Sequence, residues 1–178
     1  MYDIKNLVTL ESELKTTMRT HFVDFFCSHD YKKYNRSVVS KSMRTLFDAE
    51  TSYSGRGLYV ILSDYQIDQN KCSLTVDGLK AIYRGHGYTI KGRLKSHLFN
   101  GHYRRNLPER GVRYDVCMKL DDKNGINIDE LPYRNYRWKV VVHKMIGSSK
   151  MMREQAELAF DEVFGRPLAS KELGQATN

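Results

Sequence analysis

The sequence predicts an α+β fold with a small, mostly antiparallel, three-stranded central sheet flanked by helices. Two short apolar runs at 57–63 and 79–85, rich in β-branched and aromatic residues, predict paired strands. Two segments at 9–28 and 90–98 carry apolar residues four positions apart, which predicts amphipathic helices. The chain order is helices, a strand hairpin, a helix, further strands and a final helix.

The first 50 residues are predicted to form a helical extension. Apolar side chains recur every four residues along its first helix, at Leu10, Leu14, Met18, Phe22 and Phe26. This stripe is expected to pack in the core or against a partner helix. A second helix is predicted from Ser37 to Ala49.

The main domain, residues 51–170, is predicted to begin with the two paired strands, joined by a polar connection at 64–77. Thr89 can cap the following helix, and Gly101 is a plausible stop. The rest of the chain divides into four predicted segments. In order, they are an insertion at about 101–135 containing a strand at 114–120, a strand at 136–143, a helix capped by Ser148 or Ser149 and running to about Phe164, and a C-terminal tail at 171–178.

The charge distribution favours a polyanionic partner. The chain has 178 residues, a formal net charge of +8 and a pI of about 9.3. Seven Lys and Arg residues lie between Lys91 and Arg113, with only Glu109 opposing them. Such a density of cations raises affinity for phosphate through counterion release. A second basic stretch, Arg134 to Lys139, is interleaved with aromatic residues but also has the pattern of a strand.

The location expected from the sequence is the cytoplasm. The N-terminus lacks the basic start and apolar stretch of a signal peptide. The three cysteines form neither a CxxC pair nor a zinc-binding spacing, and an odd count is typical of a reducing compartment. The chain has no run of about 18 apolar residues, so no membrane partner is expected.

One set of side chains suits phosphodiester hydrolysis, which needs a proton acceptor, a cation for the phosphate and a carboxylate for a metal. Tyr59 and Tyr83 can share one face of the hairpin. Arg93 and His97 are four residues apart on the next helix and point the same way. Glu157 lies on the final helix. Each tyrosine alone is more typical of a strand core, and Glu157 could equally form a helix salt bridge with Arg153.

In this set the sequence resembles the GIY-YIG nuclease superfamily, over about residues 55–170. The segment 57–59, Gly-Leu-Tyr, resembles the first half of the signature, and 83–85, Tyr-Arg-Gly, resembles the second. Arg93 and His97 form an Arg-x-x-x-His pattern similar to that of GIY-YIG type II restriction endonucleases. Glu157 and the downstream Pro167 resemble the glutamate helix of that family and its following proline.

The resemblance implies a metal-dependent DNA endonuclease whose catalytic residues are Tyr59, Tyr83, Arg93, His97 and Glu157. Glu157 would bind Mg²⁺ (or Mn²⁺), with water and phosphate oxygens as the other ligands. Arg93 would hold the scissile phosphate, and Tyr59 would position or deprotonate water, with His97 taking the proton onward. The expected partner is double-stranded DNA, bound by the basic residues Lys91, Lys95, His102, Arg104 and Arg105. A homodimer would suit palindromic DNA.

Several alternatives stay open at this point. The superfamily usually has Ile where Arg84 stands, a difference that is tolerable if this residue packs behind the site. The usual asparagine after the proline is missing, and Ser170 is the candidate replacement. Glu154 competes with Glu157 as the metal ligand. Besides a sequence-specific restriction enzyme, the pattern fits a phage or mobile-element nuclease of looser specificity, a non-catalytic nucleic-acid-binding module or, less well, a plain interaction protein.

Overall fold

The computed structural model describes residues 3–105, 117–120 and 125–170, with nothing described for the side chain of Arg105. Within these residues the chain is α+β, as predicted. Its helices and strands are α1 (Ile4–Ser28), β1 (Val38–Met43), α2 (Leu46–Glu50), β2 (Gly57–Ser63), β3 (Thr75–Val76), β4 (Leu79–Gly87), α3 (Ile90–Leu98), α4 (Asn100–Arg105), β5 (Trp138–Lys144) and α5 (Lys150–Phe164). A 3₁₀ turn at Tyr133–Asn135 precedes β5.

The described residues form one antiparallel sheet of five strands in the order β1-β5-β2-β4-β3, so the prediction of three strands was wrong. The predicted hairpin is present, because β2 pairs directly with β4. The strand predicted at 136–143 is β5, which pairs with the other side of β2. Every residue of β2 is buried, as expected for a central strand covered on both faces.

Strand β1 accounts for one of the added strands and replaces a predicted helix. Residues 38–43 pair with β5 from Val38 opposite His143 to Met43 opposite Trp138. Only Leu46–Glu50 of the segment 37–49 is helical, and Thr45 with Asp48 forms its capping box. The apolar spacing around Met43 fitted a helix. The β-branched residues Val38 and Val39, however, suit a strand, and the open edge of β5 supplies the hydrogen bonds that β1 needs.

The other added strand, β3, lies in the segment 64–77, which was predicted to be a polar connection. Its two residues pair with the start of β4. The strand predicted at 114–120 was wrong where it is described, because Cys117 and Met118 are buried without strand structure. Residues 114–116 and the predicted tail at 171–178 lie outside the described residues.

Helix α1 begins at Ile4, earlier than predicted, because the Asp3 side chain accepts a hydrogen bond from the backbone N–H of Asn6. Phe22 and Phe26, in its second half, pack in the core beneath β2. Its first half exposes five large apolar side chains, Ile4, Leu7, Val8, Leu10 and Leu14. Among the helices of the described residues, none combines the length and apolar character needed to cross a bilayer.

The sheet has a separate core on each face, and this arrangement determines where the candidate site lies. On one face, Tyr59 and Ile61 of β2 pack with α3. On the other, Leu58 and Val60 pack with α1 and α5. Side chains from β4 reach both faces, since neighbouring residues in a strand point in opposite directions.

Candidate active site

Tyr59 and Tyr83 share the face of the sheet that packs with α3. In the hairpin, Tyr59 is opposite Gly85, and Tyr83 is opposite Ile61. The two tyrosines are therefore diagonal neighbours on adjacent strands, close enough for large side chains to touch. Their rings are stacked, with centroids 6.1 Å apart and planes 27° apart.

Tyr59 forms a buried hydrogen bond with His97, which α3 brings over the hairpin. The Tyr59 hydroxyl lies 2.7 Å from His97 Nε2. A side-chain hydrogen bond also joins Tyr59 to Tyr83, and the ring centroids of Tyr83 and His97 are 4.5 Å apart. The three side chains thus form a continuous polar contact from a buried imidazole to Tyr83, which is 8% exposed.

Both members of the buried Tyr59–His97 pair are neutral near pH 7. Burial, and then the nearby Tyr83, hold the pKa of Tyr59 well above its ordinary value of 10.0. Burial, helped by the Arg93 charge, lowers the pKa of His97 to about 3. Tyr59 is therefore a poor direct base in the metal-free protein, and its geometry suits the transfer of a proton or the positioning of a neighbour.

Replacing Tyr59 by Phe is expected to lower both stability and any activity of the site. The change removes the hydrogen-bond partner that His97 Nε2 has among the described residues and leaves a polar atom buried without a hydrogen bond, a loss worth about 1–3 kcal/mol. The midpoint of thermal unfolding should fall by several degrees. Tyr34→Phe, at an 88% exposed position, is the matched control and should unfold like wild type. An unchanged midpoint in Tyr59→Phe would show that the pair contributes nothing.

Two glycines of β4 leave the backbone bare next to the tyrosines. A Cβ atom at Gly85 would lie 2.7 Å from the Tyr59 hydroxyl and 3.1 Å from a ring carbon of Tyr83. At Gly87 it would lie 3.2 Å from Cγ of Arg93. Glycine is therefore required at position 85 by the close approach of the two rings. The second glycine gives the Arg93 side chain space to lie against the strand.

The Arg93 guanidinium makes no polar contact with a side chain or backbone group of the described residues. It lies on α3, half-buried, one turn before His97. Across the described residues, its guanidinium has no hydrogen bond or ion pair. It lines an open groove of about 320 Å³ together with five other residues, Tyr88, Thr89, Gly92, Ser96 and Tyr103. A half-buried guanidinium without a protein anion beside it is suited to bind an anion from outside.

Glu157 lies on the opposite face of the sheet from Tyr59, because α5 packs on that face. Arg84 points to the same side from β4, between Tyr83 and Gly85 in sequence. Its guanidinium donates to Glu157 Oε1 and also to both carboxylate oxygens of Asp161, at 2.9 and 2.5 Å. His86 Nε2 lies 3.4 Å from the other oxygen, Glu157 Oε2. Arg84 is thus buried behind the two tyrosines, and it is also the ion-pair partner of Glu157.

The two sides of the site still influence each other through β4. The charges of Glu157 and Arg93 both act on the pKa values of Tyr59 and Tyr83. His86 is in contact with Glu157, and Arg93 is among the cations that lower its pKa to about 4, after burial and Arg153. Glu157 and Arg93 therefore lie on opposite sides of one strand. The charges of both act on the same pair of tyrosines.

The pKa of the Glu157 carboxyl group is raised even though an arginine lies beside it. Burial raises its pKa to about 7, Arg84 opposes this rise, and Asp161 and Glu154 add to it. The group is 5% exposed. Asp161 accepts two hydrogen bonds from Arg84. Because the Arg84 charge is shared between two carboxylates, it only partly compensates the buried charge on Glu157.

This shift predicts a pH-dependent difference in stability between wild type and Glu157→Gln, measured without metal. A carboxyl group whose pKa is raised on folding stabilises the fold below its unfolded pKa, and this contribution is lost as the pH rises through the folded pKa. Wild type should therefore lose stability relative to the variant between pH 4.5 and about 7. The expected loss is on the order of 3 kcal/mol. Urea unfolding at a series of pH values measures it, and a constant difference would contradict the shift.

Several residues of the site were missed by reasoning from the sequence. Arg84 and His86 were not assigned to the site from the sequence. Their alternation with Tyr83 and Gly85 along β4 nevertheless places them on the face of the sheet that packs with α5. Arg153 is fully buried and donates to Ser148, and its guanidinium lies 4.2 Å from the ring centroid of exposed Tyr88. It makes no ion pair with Glu157 within the described residues, so the helix salt bridge considered above is not formed.

The residues predicted to contact DNA are distributed around α3 and α4. Lys91 and Lys95 lie on α3, and Lys95 pairs with Glu50 at 3.1 Å. His102 lies on α4 and is 3.1 Å from Asp129. Arg104, also on α4, is exposed. The side chain of Arg105 is not among those that the structure describes. DNA binding by these residues stays a prediction.

The second basic stretch has lost much of its free charge to local ion pairs. Arg137 Nε lies 2.8 Å from Asp64, and Lys139 pairs with Asp77. Trp138 is buried between them in β5, as the alternating pattern of a strand requires. Arg137 and Lys139 are therefore neutralised by nearby acidic side chains, whereas Arg93 has no acidic partner among the described residues.

Two alternatives from the sequence have clear positions in the structure. Ser170 accepts a hydrogen bond from the backbone N–H of Arg84 at 2.8 Å and donates to its carbonyl at 3.3 Å. It thereby holds the edge of β4 next to the site. Glu154 lies 3.5 Å from Lys150, one turn away on the surface of α5. Glu157 is the glutamate of this helix that is buried against β4.

Comparison with known proteins gives no relative: no family model, no curated protein and no solved structure matches the chain. The function of the chain is therefore inferred from the side chains described above. Their arrangement offers a free guanidinium, a neutral tyrosine–histidine pair and a buried carboxyl group around one glycine-containing strand.

The residues around Glu157 are compatible with one divalent cation. Oε1 of Glu157 is occupied by Arg84, but Arg84 also pairs with Asp161, so these three side chains together carry one negative charge. Oε2 lies 3.4 Å from His86 Nε2, and His86 is neutral near pH 7 because its pKa is about 4. A carboxylate oxygen beside a neutral imidazole is a suitable donor pair for Mg²⁺ or Mn²⁺ when water and phosphate supply the other ligands.

Proposed function

We propose that this protein is a metal-dependent endonuclease that hydrolyses phosphodiester bonds in double-stranded DNA and acts as a sequence-specific restriction-type enzyme. The observation that carries the proposal is the position of Arg93. Its guanidinium is half-buried, has no protein anion among the described residues, and lies beside the glycine-flanked pair of tyrosines. A phosphodiester group is the anion that this combination of a guanidinium and neutral hydroxyl groups suits best.

In the proposed reaction, Arg93 binds the scissile phosphate and offsets the negative charge that develops on it. The guanidinium geometry allows two parallel hydrogen bonds to two phosphate oxygens. The groove beside it, lined by Tyr88 and Tyr103, leaves space for the neighbouring nucleotide. The absence of side chains at Gly85 and Gly87 lets the two tyrosine rings and Arg93 lie against β4 beside the proposed phosphate site.

The hydrogen-bonded tyrosines would position the attacking water. Tyr83 is the member of the group nearest to solvent, and Tyr59 links it to His97. The pKa of His97 is about 3, so His97 stays neutral and its hydrogen bond with Tyr59 orients the Tyr59 hydroxyl group without taking up the proton. This assigns Tyr59 and Tyr83 to water positioning.

Glu157 is proposed as the metal ligand, with His86 beside it as a candidate second ligand. The bound Mg²⁺ or Mn²⁺ would supply Lewis-acid stabilisation of the leaving oxygen. Arg84 and Asp161 orient the Glu157 carboxylate, which is the role of residues that surround a metal ligand. Coordination requires the ionised form of Glu157, and a pKa of about 7 makes that form accessible near neutral pH.

The wider DNA surface is proposed to follow the α3–α4 side, where the cations Lys91, Lys95 and Arg104 continue from Arg93. The exposed apolar residues at the start of α1 are the proposed contact in a homodimer, which would match the symmetry of a palindromic site. The chain is expected to act in the cytoplasm.

A second candidate is a non-catalytic nucleic-acid-binding module, favoured by one observation. Arg84 occupies an oxygen of Glu157, the carboxylate that a metal would need. In this case Arg93 and the cations of α3 would bind phosphate, and Glu157 would serve only to neutralise Arg84.

Digestion of a defined phage genome, followed by sequencing of the ends, tests the proposal and separates its variants. A restriction-type enzyme should give ends that share one short sequence. A nuclease of looser specificity should give scattered ends. DNA that is bound in a mobility-shift assay but stays intact in Mg²⁺ and in Mn²⁺ would reject the nuclease and leave the binding module.

A further inference from the structure

A second group of possible metal ligands lies away from Glu157, where α4 meets the segment 127–130. His102, Asp129 and Glu130 each offer one ligand atom, and these three atoms all lie within 4.8 Å of one another. His102 Nε2 and Asp129 Oδ2 are 3.1 Å apart. We propose that these three side chains form a zinc-binding site that joins α4 to the segment 127–130.

The distances fit the geometry of zinc. Ligand atoms about 2.0–2.1 Å from a tetrahedral ion lie roughly 3.3 Å from one another. The separation of His102 Nε2 and Asp129 Oδ2 is close to that edge, and the Glu130 carboxylate oxygen lies within 4.8 Å of both atoms. Three protein ligands leave a fourth position for water, which the partial exposure of His102 and Asp129 allows.

A separate observation concerns the second carboxylate oxygen of Asp129. Its second oxygen, Oδ1, is buried, and no atom in the described part of the chain hydrogen-bonds to it. A buried carboxylate oxygen without a partner is unfavourable. A divalent cation bound by Asp129 would relieve that cost, because the carboxylate could turn or bind through both oxygens.

Neighbouring residues hold the proposed ligands in place. Asn127 Nδ2 donates to Glu130 Oε2 at 3.2 Å, and Asn127 Oδ1 accepts from the backbone N–H of Gly101 at 2.7 Å. Residue 127 also forms a β-bridge with Phe99. One asparagine thus positions a carboxylate and links its segment to the start of α4. Hydrogen bonding around a metal ligand of this kind raises metal affinity.

The donor set favours zinc over magnesium. One imidazole nitrogen and two carboxylate oxygens on separate residues suit a tetrahedral transition ion, whereas Mg²⁺ prefers six oxygen ligands. His102, predicted above to contact DNA, would then have a structural role.

Calorimetric titration of the EDTA-treated full chain with ZnCl₂ tests the site. Wild type is expected to bind one Zn²⁺ per chain. His102→Ala and Glu130→Gln should each weaken binding by about 100-fold or more, since each removes a ligand. His21→Ala, at an exposed position on α1, is the control and should bind like wild type. Co²⁺ should give the visible absorption bands of a tetrahedral ion in wild type and lose them in His102→Ala.

Two results would overturn the site: no stoichiometric Zn²⁺ binding by wild type, or unchanged binding by both ligand variants. Glu130 is exposed, so Glu130→Gln should fold normally even if removal of His102 disturbs α4. Circular dichroism checks this. The titration contains no DNA, so its outcome is independent of the proposed nuclease activity.

Discussion

Glu157→Gln is expected to abolish DNA cleavage and to leave DNA binding unchanged. Glutamine keeps the size of the side chain but removes the negative charge that a metal ligand needs. Loss of metal-assisted stabilisation of the transition state costs several kcal/mol, which corresponds to a rate at least about 10³-fold lower. Arg84 keeps its two bonds to Asp161, so the fold should be retained.

Cleavage and binding must be measured separately for this variant. Plasmid cleavage in Mg²⁺ gives the rate, and a mobility shift in Ca²⁺ or EDTA gives the affinity. Two other glutamates of α5 are controls: Glu162→Gln, at an exposed position, and Glu154→Gln, whose partner is Lys150. Both should cut like wild type. Loss of cleavage in Glu154→Gln with full activity in Glu157→Gln would move the metal ligand to Glu154.

Arg93→Ala is expected to lower the cleavage rate by about 10³-fold, with a smaller effect on DNA affinity. A guanidinium that stabilises the charge of a reacting phosphate contributes about 10³ or more to the rate of phosphoryl transfer. Since Arg93 has no ion pair among the described residues, its removal should leave the stability of the protein nearly unchanged. Arg93→Lys keeps the charge but loses the two-pronged geometry, so its rate should be intermediate.

The matched control for Arg93 is Arg36→Ala, which removes one positive charge at an exposed position distant in sequence from α3. Single-turnover cleavage measures the chemical step, and the salt dependence of binding measures the phosphate contacts. Full activity in Arg93→Ala would reject its role as the phosphate ligand. An equal loss in Arg36→Ala would assign the effect to net charge.

The elements that carry the tyrosines, Arg93 and His97 could be predicted from the sequence because local patterns determine them. The apolar runs of β2 and β4 and the four-residue spacing in α3 gave these elements nearly to the residue. The hairpin then placed Tyr59 and Tyr83 on one face, and the helix period placed His97 within reach of Tyr59. These relations depend on neighbours in sequence or on one strand pairing.

The features that could not be predicted depend on long-range packing. The segment around Val38 became a strand because β5 offered an open edge, which the local apolar spacing did not indicate. Arg84 became the partner of Glu157 because α5 packs on the opposite face of the sheet from α3. The sequence places Arg84 and Glu157 73 residues apart, and only the tertiary fold brings them together.

The conversion of supercoiled plasmid to cut forms by the purified chain tests the central claim most directly. Wild type should cut in Mg²⁺ or Mn²⁺ and stop when EDTA is added. A double variant, Arg93→Ala with Glu157→Gln, purified in the same way, should leave the plasmid intact. Equal cutting by the double variant would trace the activity to a contaminant. No cutting of plasmid or phage DNA by the folded wild type would contradict a phosphodiester-cleaving site.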